Sequence, residues 1–115
     1  MSNPPITITM QIHARLLQEG HTVSDFRSME VVIVPPYMGE DGSPILGEWR
    51  GSVDDAFAYS LDWTSLACIE LPNGSLAEIR LVRMSGGTLD FVGVGNPPFS
   101  YLDNVGPITE TWATA

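Results

Sequence analysis

Histidines, cysteines, paired carboxylates and glycine-rich turns are the features through which a chain of this size could do chemistry. The two histidines, His13 and His21, flank a turn, with Asp25 close behind. These three could converge across a hairpin. Zinc, however, needs three or four ligands in tetrahedral array, and neither a Cys pair nor a His-Glu-x-x-His spacing supplies them. Both histidines fall at polar positions, which reads as solvent exposure. Glu40-Asp41-Gly42 lacks the acidic residues at alternate positions that an EF-hand loop requires. Asp54 and Asp55 are sequence neighbours and diverge on a strand, whereas two carboxyls acting as general acid and base must converge in a cleft.

Nucleophilic catalysis has no better footing. There is no Gly-x-Ser-x-Gly elbow, and neither histidine is placed by sequence against a serine or cysteine. The single cysteine, Cys68, sits within Leu66-Ala67-Cys68-Ile69, where a buried, inert thiol is expected, and it rules out an intramolecular disulfide. Gly93-Val94-Gly95-Asn96-Pro97 has two glycines of a dinucleotide fingerprint but no third, and it runs into prolines rather than a helix. No catalytic residue, metal site or cofactor is therefore assigned. The aromatic residues offer one further possibility. Tyr37, Trp49 and Trp63, with Arg50 as polar anchor and Phe91 and Phe99 nearby, could line the mouth of a barrel and hold a small molecule. Small barrels more commonly fill their interior with side chains, so a core role is favoured. Arg80 lies on one strand with Glu78 and Arg83, which fits surface pairing better than a substrate clamp.

The elements that must position these residues are strands. At 115 residues the chain is one domain by length, long enough to bury one real core. Eleven Gly and nine Pro favour short strands joined by tight turns. After an extended arm over residues 1–5, Ile6, Ile8, Met10, Ile12, Ala14 and Leu16 alternate with polar neighbours, which predicts a half-buried strand. A turn at Glu19-Gly20-His21 leads to a possible short return over Thr22–Phe26. Met29–Val34 reads as a separate β-branched strand stopped by Pro35-Pro36, and Gly39–Pro44 as a loop. Ile45, Gly47, Trp49, Gly51 and Val53 fall on one face of the next strand, where the glycines suggest a bend or close approach. Asp54–Asp62 is a short helix or an irregular crossing. Strands over Trp63–Leu71, Leu76–Met84 and Thr88–Val94 form a closing meander, with turns at Pro72-Asn73-Gly74-Ser75 and Ser85-Gly86-Gly87. The expectation is an all-β, mainly antiparallel barrel or sandwich of about six or seven strands over residues 6–99. Residues 100–115 form a C-terminal extension.

Charge limits the partners. Fourteen acidic residues face five basic ones, all arginine (Arg15, Arg27, Arg50, Arg80, Arg83), for a net charge of −9. Such a balance opposes binding to a phosphate backbone or an anionic membrane. No leader or membrane-length apolar run is visible, so a cytoplasmic location is expected.

Gly47-Glu48-Trp49-Arg50-Gly51, the hairpin Leu71-Pro72-Asn73-Gly74 and the exit Gly93-Val94-Gly95-Asn96-Pro97-Pro98-Phe99 occur in that order. Together they resemble a bacterial family of small β domains of unknown function, found alone or appended to flavin-dependent monooxygenase-like proteins. The resemblance spans about Met29–Phe99 and implies a compact β barrel that accompanies other proteins. It supplies no catalytic residues. The leading functional expectation is a non-enzymatic binding or assembly module, with Phe99, Tyr101, Leu102, Ile108 and Trp112 as interface residues that dock on a protein partner or on another copy. The alternatives are a small-molecule-binding barrel accessory to oxidative metabolism, and an acidic mimic of nucleic acid.

Overall fold

The structure, a computed structural model, describes residues 7–54 and 61–99. It is all-β and antiparallel. Six strands close into a barrel in the order β1-β2-β5-β8-β7-β6, and two short strands form a separate ribbon. The barrel strands are β1 (Ile8–Gln18), β2 (His21–Val34), β5 (Glu48–Asp54), β6 (Ala67–Glu70), β7 (Leu76–Ser85) and β8 (Thr88–Val94); the ribbon is β3 (Tyr37–Met38) and β4 (Pro44–Ile45). Among the described residues no helix is long and apolar enough to cross a membrane. The proposed arm at residues 1–5 and the extension at 100–115 lie outside the described residues, as do residues 55–60 of the predicted crossing.

The alternation in β1 does what its period requires. Ile12, Ala14, Leu16 and Gln18 point into the barrel while Gln11 and His13 face out. Tight turns then return the chain. Gln18 pairs with His21 across Glu19-Gly20, and Ser85 pairs with Thr88 across Gly86-Gly87, with positive φ at both central residues of each turn. That is the turn whose twist matches paired strands. β6 closes the barrel by pairing Cys68, Ile69 and Glu70 with Leu17, Leu16 and Arg15, and an Arg15–Glu70 ion pair crosses the same seam.

Three segments depart from the sequence expectation. The Thr22–Phe26 return and the Met29–Val34 run are one continuous strand, β2, bent by register shifts opposite Ala14–Leu17. The bulges let an interrupted hydrophobic pattern stay in a single strand. The strand expected from Trp63 begins only at Ala67, because Asp62 accepts hydrogen bonds from Thr64 and Ser65 and folds that stretch into a turn. Ile45 belongs to the ribbon, so β5 starts at Glu48. A further shift in β7 lies between Leu81 and Arg83. Strict alternation after Ala77, Ile79 and Leu81 would turn Arg83 inward. The extra residue, Val82, restores the phase, so Met84 packs against the core while Arg83 meets Asp90 outside at 3.0 Å.

The centre of the barrel is an interlock between aromatic rings and glycines on β5 and β8. Phe91 pairs with Gly51, and a Cβ on Gly51 would lie 2.4 Å from the Phe91 ring. A Cβ on Gly93 would lie 1.9 Å from the Trp49 indole. Trp49 and Phe91 meet edge to face at 6.3 Å, and both are buried. Each ring occupies the space that the opposing glycine vacates. Gly93→Ala and Gly51→Ala should therefore each cost about 3 kcal/mol by forcing a ring out of place. Gly86→Ala, at φ 59 with open space around its Cβ, should cost only about 1 kcal/mol. Urea unfolding of the three variants tests this, and equal losses would show that backbone conformation, not ring packing, sets the glycine requirement.

Candidate interaction surface

The sequence-predicted pocket residues do not converge. Trp49 points into the barrel, 3% exposed, and its Nε1–H donates to the Gly95 carbonyl at 3.0 Å. Arg50, the next residue along the strand, faces outward. Trp63 is 41% exposed on the turn that begins at Asp62, which is tied to Gln18 at the opposite end of the barrel. Tyr37 pairs with Ile45 in the ribbon. The interior is filled by Phe91, Leu16, Met29, Ile33, Ile69 and their neighbours. Of the predicted interface residues, Phe99 packs edge to face on Trp49 at 5.6 Å; Tyr101, Leu102, Ile108 and Trp112 lie outside the described residues.

The histidines stay apart from any ligand set. His13 stacks on Phe26 with ring centroids 6.2 Å apart, and the Arg15 guanidinium lies over the same ring at 5.2 Å. Among the described residues no group of three or more His, Cys, Asp or Glu side chains could hold a metal ion. Cys68 is half-buried rather than buried, on the outward alternation between Leu17 and Glu78. Burial, and then the nearby Glu78 carboxylate, push its thiol pKa up and away from reactivity. Gln18 is a buried polar residue that sequence pattern alone would place as an ordinary strand end. Its amide donates to the Asp62 carbonyl at 2.7 Å and accepts from the Asp62 N–H at 2.7 Å, so it clamps the turn before β6.

What remains is the β3–β4 ribbon. Pro35-Pro36 cannot continue the β2 ladder. The chain leaves the barrel there and returns at Gly47, where any Cβ would strike the Pro36 ring at 2.6 Å. Tyr37–Ile45 and Met38–Pro44 pair with each other and with no strand of the barrel. The tip is organised by its own bonds. Gly39 N–H donates to Ser43 O at 2.8 Å, Gly42 N–H to Gly39 O at 3.0 Å, and Ser43 N–H to Asp41 Oδ1 at 2.9 Å. The stem presents apolar surface: Met38 is 59% exposed, Ile45 40% and Leu46 48%. An ordered ribbon with an apolar stem and an acidic tip, Glu40-Asp41, can dock against another protein surface. Burying three such side chains contributes on the order of a few kcal/mol.

No family model, curated protein or solved structure matches the chain.

The Asp41 carboxyl is held below its ordinary value of 3.8 by hydrogen bonds from the Ser43 backbone and then the Ser43 side chain. A depressed carboxylate stabilises the folded turn fully above the ordinary value and loses that contribution as pH falls through the folded value. The Ser43 amide proton shift should accordingly titrate with a midpoint below 3.8, and Asp41→Asn should abolish that titration. A midpoint at or above the ordinary value, read by NMR, would contradict the turn.

Proposed function

We propose that the chain is a non-enzymatic protein-binding and assembly module, with the β3–β4 ribbon as its docking element. One observation carries this reading. Val34 and Glu48 are already direct partners in the barrel ladder, so the thirteen residues between them leave and return at one place without contributing a barrel strand. Holding them in a ribbon costs on the order of 1–2 kcal/mol of backbone freedom per residue, and the barrel closes without it. The exposed stem of Met38, Ile45 and Leu46 gives that excursion a use. Phe99, the last described residue, packs on Trp49 at the same end of the barrel. Tyr101, Leu102, Ile108 and Trp112 belong to the same proposal as a second contact.

Mass in solution tests the reading, by light scattering over a concentration series for the intact protein and for Met38→Ser/Ile45→Ser/Leu46→Ser. The expected result is association of the intact protein and a monomer for the triple variant, with the same circular dichroism spectrum. Identical association of the two proteins would remove the ribbon from the interface.

A further inference from the structure

We infer that the ribbon docks in a particular place on a second copy of this chain: the outer groove over Gly51, on the sheet β2-β5-β8-β7. The inference rests on the ribbon acting as a docking element, and it adds the identity and position of its receptor.

The groove has a volume of about 480 Å³ and opens on the outer face of the barrel. Its side chains come in rows set by strand register. One row runs Val32, Arg50, Val92, Arg80 across four strands; the next runs Glu30, Ser52, Asp90, Arg83. The β7 bulge brings Val82 to the groove, 52% exposed, and it turns Arg83 to the same face. The lining is therefore apolar surface from three valines beside two arginines and two carboxylates. That matches a ribbon with an apolar stem and an acidic tip.

Charge identifies the partner further. Three of the five arginines of a chain with net charge −9 lie in these two rows. Asp90 is occupied by Arg83 at 3.0 Å. Arg50 is exposed and makes no ion pair with a described residue. Within the groove Glu30 and Asp90 are balanced by Arg50 and Arg83, so the surface is neutral where the whole chain is strongly negative. Glu40 and Asp41 of a second ribbon would meet a locally neutral surface there, with Arg50 as its exposed cation, rather than the net repulsion of the whole chain. A guanidinium suits this role because its planar fork can hold a carboxylate through two hydrogen bonds.

Ribbon and groove are different surfaces, so the contact is head to tail. It generates a ring if the rotation closes and a filament if it does not. This property permits a decisive experiment. One variant disables the ribbon, Met38→Asp/Leu46→Asp, and a second disables the groove, Arg50→Glu/Val82→Asp. All four positions are exposed, and the circular dichroism spectrum verifies that both variants are folded. Each alone should raise the dissociation constant by about tenfold or more. Mixed in equal amounts they should form a one-to-one dimer and nothing larger, because the mixture retains one intact ribbon and one intact groove.

Sedimentation velocity reads all outcomes. Association of the groove variant at wild-type strength, with the ribbon variant monomeric, overturns the groove as receptor and leaves the ribbon reading standing. Association unaffected by either variant overturns both. A mixture that yields no dimer overturns the head-to-tail contact. An intact protein that stays monomeric throughout overturns the proposal that a second copy is the partner.

Discussion

The barrel depends on one reciprocal packing arrangement. Trp49 lies where Gly93 has no side chain, and Phe91 lies where Gly51 has none. The two largest rings of the interior could not otherwise face each other on adjacent strands of so narrow a barrel, where interior space admits few bulky side chains per layer. Trp49 extends the arrangement at its polar edge. Its N–H bonds the Gly95 carbonyl, and Phe99 closes over the ring. The end of β8 and the chain that follows it are thereby tied to β5. A buried indole N–H without such a partner would cost about 1–3 kcal/mol, so the exit Gly95-Asn96-Pro97-Pro98-Phe99 is part of the core rather than an appendage.

Once the interior is filled, chemistry and binding must be sought outside. The outer face is shaped by strand register: the extra residue in β7 lifts Val82 and turns Arg83 outward beside it. A bulge is conventionally a local defect in a ladder, but here it also re-aims a side chain.

Much of this architecture can be read from residue order. Period-two alternation marks β1, and Asn73-Gly74 and Gly86-Gly87 mark the last two hairpins, because these signals are local and act through backbone conformation. The glycines beside Trp49 also announce a close approach. Other features depend on distant partners. Nothing in Val82-Arg83-Met84 tells a reader that the strand changes phase there; the pairing with Asp90 and Leu89 does. The same holds for β2, whose two apparent runs are joined only by their fit to β1. The candidate site was the least legible part. Gly39–Pro44 has loop composition, and only the pairing of Val34 with Glu48 and of Tyr37 with Ile45 reveals a ribbon standing off a closed barrel. The grouping of Tyr37, Trp49, Arg50 and Trp63 failed to converge because neighbouring strand residues face opposite sides, and because Trp49 and Trp63 sit at opposite ends.

Electrostatics constrains where the proposed contact between copies can form. Two copies at −9 repel each other, but at physiological salt that repulsion is screened beyond about 8 Å. The decisive charges are those within a few ångströms of the contact. A stable contact between copies therefore needs a locally neutral or basic surface and enough apolar area to offset the entropy of association. The rows through Arg50 and Arg83 supply the first requirement, and the exposed valines with the ribbon stem supply the second. Arg15 is committed to Glu70 and Phe26, Arg27 to the Asp54 carbonyl, and Arg83 to Asp90. In the proposed contact, the locally neutral groove is a surface that the acidic ribbon can approach without the repulsion the rest of the chain would impose.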